Sequence, residues 1–299
     1  MDPMERMAYK GWNTCIRLTN GIVELVVTAD VGPRIIRFGF VGGENEFDED
    51  WLGVTGGDTW RNYGGHRLWH APEHPVRTYA PDNSPVAVEE HDGFVRFIQP
   101  LEVSTGIQKE LDVSLASAGT RVRVVHRLRN TNLWGVELAP WALSVMAAGG
   151  VAILPLPPRG SHEGNLLPSG ALTLWPYTDM ADPRWTWGTE YVLLRQDPQA
   201  QTPQKLGTSA HKGWIAYARR GHLFVIYVTS RPGATYPDLG SVVESFTNAR
   251  MLELETLGPL AMVAPGAEVE HVEEWALFEG VAAPACDADV AAIAALHSA

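Results

Sequence analysis

Three groups of residues have the types and spacing to do chemistry. The first is MLELETL, residues 251–257. On a strand, alternate residues share a face, so Glu253 and Glu255 point one way and Leu252 and Leu254 the other. If the leucines enter a core, both carboxylates face outward, and two close carboxyls push one pKa up and separate an acid from a base. A solvent-facing acidic strand is the plainer alternative. The second group is GGHRLWHAPEH, residues 64–74, with His66, Arg67, His70, Glu73 and His74. Imidazoles exchange protons near neutral pH, and the planar fork of Arg67 matches two oxygens at once. The His66–His70–Glu73 spacing suits a metal only on a helix, which Gly64-Gly65 and Ala71-Pro72-Glu73 oppose, so no metal is expected. A surface histidine cluster without a role is the alternative for His70 and His74. The third group holds Tyr177, Asp179, Asp182, Arg184 and Trp185. Aromatic faces mixed with Asp and Arg make a lining for stacking and paired hydrogen bonds. Equally, they could pin a loop over the body of the protein.

The elements that must position these residues read as strands. Asn20-Gly21 and Gly32-Pro33 split alternating runs at 16–19, 22–28 and 34–40, and Asn-Gly between such runs signals a hairpin. Alternation continues at 86–90, 94–99, 107–115 and 121–129, the last two as a long pair. Further strands are expected at 135–147, 151–154, 191–195, 213–219 and 222–229. A final pair is expected at 250–257 and 268–279, joined through Pro265-Gly266. Only DADVAAIAALHS, 287–298, reads as a helix, capped by Asp287 or Asp289. Residues 42–85 and 155–190 read as irregular, and their many aromatics favour ordered, functional loops.

The 299 residues, 45% hydrophobic and 19% charged, suit a folded chain with a large core. One domain, 1–299, is expected, since no linker or repeat interrupts the pattern. A net charge of −12 without a basic tract argues against nucleic acid. No apolar run suits a membrane span, and the acidic start is unlike a signal peptide. Two cysteines, Cys15 and Cys286, make no disulfide framework, so a cytoplasmic location is expected. No nucleophile elbow, Walker loop, dinucleotide fingerprint or paired CxxC appears.

The order of several motifs resembles the galactose mutarotase-like (aldose 1-epimerase-like) superfamily. Leu18 to Phe38 resembles its opening strands, RNYGGHRLWHAPE (61–73) its Gly-Gly loop, and MLELETLGPL with APGAEVEHVEEWALF (264–278) its closing hairpin. APWALSV (139–145), LWPYTDMADPRW (174–185), KLGT (205–208), GWIAY (213–217) and YPD (236–238) are similar to a branch of that superfamily without an assigned function; there Lys205 and Tyr236-Pro237-Asp238 match without a role. The resemblance implies an all-β fold, a large antiparallel β-sandwich (supersandwich) with a short C-terminal helix. It implies a small-molecule carbohydrate as partner, no cofactor, and a monomer or homodimer. Opening an aldose ring needs a base for the anomeric hydroxyl and an acid for the ring oxygen. Glu255 matches the family base. The family's acid histidine is missing from ELAPWALSVM (137–146), where Trp141 and Ser144 stand instead. His66 or His70 from the Gly-Gly segment could replace it. Arg67, His70, Glu253, Trp141, Tyr177 and Arg184 are the expected sugar contacts. Three functions stay open: a sugar epimerase, a carbohydrate-binding protein without chemistry, and a polysaccharide lyase or hydrolase.

Overall fold

The computed structural model describes residues 4–49, 57–209 and 212–297; residues 1–3, 50–56, 210–211 and 298–299 lie outside it, including parts of the first irregular segment and the end of the expected helix. The described strands are β1 (Met4–Tyr9), β2 (Trp12–Thr19), β3 (Val23–Thr28), β4 (Ile35–Phe40), β5 (Gly65–Ala71), β6 (Ala87–His91), β7 (Phe94–Ile98), β8 (Ile107–Leu115), β9 (Val122–Asn130), β10 (Val136–Met146) and β11 (Val151–Pro155). They continue with β12 (Leu172–Leu174), β13 (Trp185–Trp187), β14 (Tyr191–Arg195), β15 (Gln204–Thr208), β16 (Trp214–Arg219), β17 (His222–Val228), β18 (Val243–Thr247), β19 (Leu252–Leu257), β20 (Ala261–Val263) and β21 (Glu268–Glu279). A helix, Asp287–His297, closes the described chain.

Two antiparallel sheets stack face to face. The first runs β1-β2-β3-β4-β5-β10-β19-β18-β15-β12, with β20 on β10; the second runs β13-β14-β11-β16-β17-β21-β9-β8-β7-β6. Their inner faces meet over one large apolar cluster that includes Leu25, Phe38, Leu111, Leu154, Leu254 and Leu277. At its centre Phe38, Phe47 and Phe224 pack against Trp275, ring centroids 5.4–5.8 Å apart. The architecture is the expected all-β sandwich, and the hairpin β2–β3 and the meander β6 to β9 stand where the alternation placed them.

Two expectations are corrected. Residues 250–257 and 268–279 do not pair: β19 lies between β10 and β18 in the first sheet, while β21 lies between β17 and β9 in the second. The Pro265-Gly266 turn therefore joins short β20 to β21 and carries the chain from one sheet to the other. The Gly-Gly segment is also no loop. Its residues 65–71 form β5, an interior strand registered against β10 from Ala139↔Ala71 to Val145↔Gly65. Gly64 and Gly65 take positive φ of 71° and 65°. A Cβ on either would sit 2.2 Å from the Asp48 carbonyl oxygen or 2.4 Å from that of Ile35. The glycines thus let the strand enter a crowded sheet.

Candidate functional site

Five neighbouring strands, β5, β10, β19, β18 and β15, turn one face away from the sandwich core. Because Leu252 and Leu254 are in the core, the period of two puts Glu253 and Glu255 on the outer face, as the sequence implied. The same rule brings out Arg67 and Trp69 from β5, Trp141 and Leu143 from β10, Phe246 from β18 and Lys205 from β15. These residues floor a groove of about 530 Å³, walled by Trp60, Tyr79 and Tyr177. Trp69 packs edge-on against Tyr79 and Trp141 and tilted against Trp60, with centroids 5.1–5.4 Å apart.

The floor is built from two buried charge clusters, a triad and a pair. Lys205 Nζ lies 2.8 Å from Glu255 Oε2 and 2.9 Å from Glu244 Oε2, and 4.8 and 4.6 Å from the ring centroids of Trp141 and Trp175. Trp141 Nε1 donates to the same Glu255 oxygen at 2.8 Å. Glu255 Oε1 is buried and has no hydrogen-bond partner, so one oxygen is held and the other is unengaged. In the second cluster Arg67 Nη2 donates to Glu253 Oε1 at 3.0 Å, with its guanidinium 4.3 Å from the Trp69 ring centroid.

Burial raises the Glu255 pKa above the ordinary carboxylate range; Lys205 opposes this and Glu253 adds to it. Burial also pushes Glu244 from 4.5 up to about 8 against the pull of Lys205, with Glu255 adding to the rise. For Lys205, burial favours the neutral amine, but the two carboxylates outweigh it and hold the ammonium firmly charged. Glu244 thus binds its proton more tightly folded than unfolded, and its contribution to stability falls as pH rises from about 4.5 to about 8. Glu244→Gln removes that titration. We expect wild type and variant to match near about pH 5, and the variant to gain on the order of a few kcal/mol by about pH 9. Urea midpoints at both pH values check this; a constant difference would show that Glu244 does not titrate in that range.

Five of the eight residues singled out from the sequence meet in the groove: Glu255, Glu253, Arg67, Trp141 and Tyr177. Three do not. His66 alternates with Arg67 and so faces the inter-sheet core, fully buried, with Nδ1 2.9 Å from Ser144 Oγ. Burial, then the nearby His126 and Arg67, push its pKa well below the ordinary value. His70 shares that face of β5, and burial drives it down to about 3. Arg184 is buried against its own loop, bonded through Nε and Nη2 to Asp182 at 2.9 and 2.8 Å and to the Thr202 carbonyl at 2.6 Å. That is the loop-pinning alternative, and Arg184 does not line the groove. Lys205 has no role readable from the sequence, and Glu244 does not stand out in it. Both sit on five-residue strands that the alternation does not mark, and only the order β19-β18-β15, with Glu244 opposite Glu255 and Lys205 opposite Phe246, brings them together. Among the described residues, no histidine lines the groove.

Solved structures share this architecture. A galactose mutarotase-like protein from Lactobacillus casei superposes with TM-score 0.57 at 10% identity, covering 88% of this chain and all of that one. A candidate aldose 1-epimerase from Klebsiella pneumoniae gives 0.60 at 10% identity over 99% of this chain and 86% of that one. A TPR-domain containing protein from Parabacteroides distasonis gives 0.59 at 11% identity over 88% of this chain, which spans only 47% of that protein's length. The chain therefore has the galactose mutarotase-like fold. No protein-family model and no curated protein matches the sequence.

Proposed function

We propose that the groove binds a small carbohydrate and interconverts its anomers, with Glu255 as the base. The observation that carries this is the carboxylate itself: one oxygen fixed by Lys205 and Trp141, the other unengaged, on the floor of an aromatic groove. Tryptophan faces stack on the C–H faces of a sugar, and a buried carboxylate with a raised pKa is a stronger base than a solvated one. Glu255 would take the anomeric hydroxyl proton as the C1–ring oxygen bond breaks, and a donor would protonate the ring oxygen. Rotation about C1–C2 and reversal of both transfers would close the other anomer. The fold of the neighbours named for aldose 1-epimerase and galactose mutarotase supports the reading.

The groove's donors include Lys205, Arg67 and Tyr177, with Arg61 and Arg250 also in its lining. Lys205 is held charged, and Tyr177 is raised to about 12 by burial. Neither matches an imidazole as an acid near neutrality. This favours a second reading, a carbohydrate-binding protein on the same scaffold without turnover. NMR exchange between anomers of neutral, phosphorylated and acidic aldoses separates the two. For the enzyme we expect acceleration that rises with pH as Glu255 ionises, its limb displaced above the usual carboxylate range. Glu255→Gln should lower the rate by about 10²–10⁴ while sugar binding persists. Saturable binding with no exchange for any sugar would establish the second reading.

A further inference from the structure

Behind the groove, on the inner faces of β5 and β19, lies a second polar cluster enclosed between the sheets. His66 on β5, His126 on β9 and Glu273 on β21 are fully buried, and one ligand atom from each lies within 4.8 Å of the others. His66 Nε2 is 2.7 Å from His126 Nε2 and 3.8 Å from Glu273 Oε2. The outer atoms are fixed by partners. His126 Nδ1 lies 3.0 Å from the His271 carbonyl oxygen. A carbonyl only accepts, so that nitrogen carries the proton, and the neutral ring turns its Nε2 lone pair into the cluster. His66 Nδ1 meets the Ser144 hydroxyl at 2.9 Å. Glu273 accepts from Trp275 Nε1 at 2.7 Å and from Thr256 Oγ1 at 2.5 Å. Among the described residues, no lysine or arginine pairs with Glu273; its only ion-pair neighbour is His66.

We propose that His66, His126 and Glu273 bind one divalent transition-metal ion, with Zn²⁺ the best fit, which ties the two sheets together. Two imidazoles and a carboxylate are a zinc donor set, leaving the fourth position to a small exogenous oxygen donor. Each imidazole also has a partner on its other nitrogen, the support that fixes a ligating ring. A buried carboxylate is matched by a cation or a metal, or takes up a proton, and the ion would offset Glu273 where no basic side chain does. Tetrahedral ligation at about 2.0–2.1 Å parts the two Nε2 atoms to about 3.3 Å, an opening of roughly half an ångström from their present contact. The competing arrangement has His66 Nε2–H donating to His126 Nε2 and the Ser144 hydroxyl donating to His66 Nδ1. It satisfies both rings and leaves Glu273 to be neutralised by a proton. The ligands come from positions 66, 126 and 273, so no local spacing announces them, and His70, which stands at helical spacing from His66, takes no part.

The test is the metal content of tag-free protein by elemental analysis, followed by release in denaturant with chelator and refolding with Co²⁺. We expect about one equivalent of zinc and, with Co²⁺, the intense visible bands of a four-coordinate ion. His126→Gln and Glu273→Gln should each lose the equivalent. Wild-type protein without zinc and without those bands overturns the proposal, as does metal retained equally by both variants, which would place the ion elsewhere. If neither variant folds, the wild-type stoichiometry and Co²⁺ spectrum decide alone.

Discussion

Lys205→Met should lower the free energy of unfolding by about 3–5 kcal/mol near about pH 8, measured by urea denaturation. The methionine keeps most of the buried length but removes the one ammonium lying between Glu244 and Glu255. Both carboxyls are fully buried, and a buried charge without its partner is far costlier than the pair was favourable. The carboxyls can escape by taking up protons, so the loss should shrink toward about pH 5. That pH dependence separates an electrostatic role from simple packing, which would cost the same at both values. Adding Glu244→Gln removes one of the stranded carboxyls and should recover part of the loss. If the single variant loses less than about 1 kcal/mol at both pH values, Lys205 is not the counter-charge of this floor.

The second large effect concerns which sugar is accepted. Arg67 stacks on Trp69 and spends Nη2 on Glu253, while its Nε and Nη1 are buried without hydrogen-bond partners. Both cations on the groove floor are thus matched by carboxylates, and an anionic sugar gains no free charge there. Glu253→Gln releases Arg67 while keeping the side-chain shape. We expect it to raise the affinity for a uronate or sugar phosphate, relative to the neutral aldose, by roughly 10- to 100-fold, as for a hydrogen bond to a charged group. Calorimetric titration of both proteins with both ligands gives the ratio. Arg61 and Arg250 line the same groove in both proteins and cancel in the comparison. An unchanged ratio would mean that Arg67 does not contact the acidic part of the ligand.

The sequence displayed those strands that have one face in the core and one in water. The meander β6 to β9 is of this kind, and LELETL on β19 showed directly which face its glutamates take. β5 was hidden because it is buried throughout and carries polar residues on both faces, so His66-Arg67-Leu68-Trp69-His70 shows no apolar alternation to read. Reading 65–71 as a strand would have separated His66 from Arg67 at once, since neighbours on a strand point oppositely. Lys205 and Glu244 are beyond local reading because their meaning lies in the cluster they form with Glu255, up to 50 residues away. Arg184 did carry a local signal: Asp182 two residues earlier holds it in place.

Because β5 and β19 are single strands with two occupied faces, residues adjacent in sequence serve different tenants. Arg67 and Glu255 belong to the groove, and their neighbours His66 and Thr256 to the interior. Inheritance can therefore edit the two sides separately. Substituting every other residue of a few strands exchanges one ligand for another, or discards turnover altogether, while the intervening residues keep the body of the protein intact. A scaffold partitioned in this way can keep its shape with little likeness in sequence, and chains at about a tenth identity share this fold.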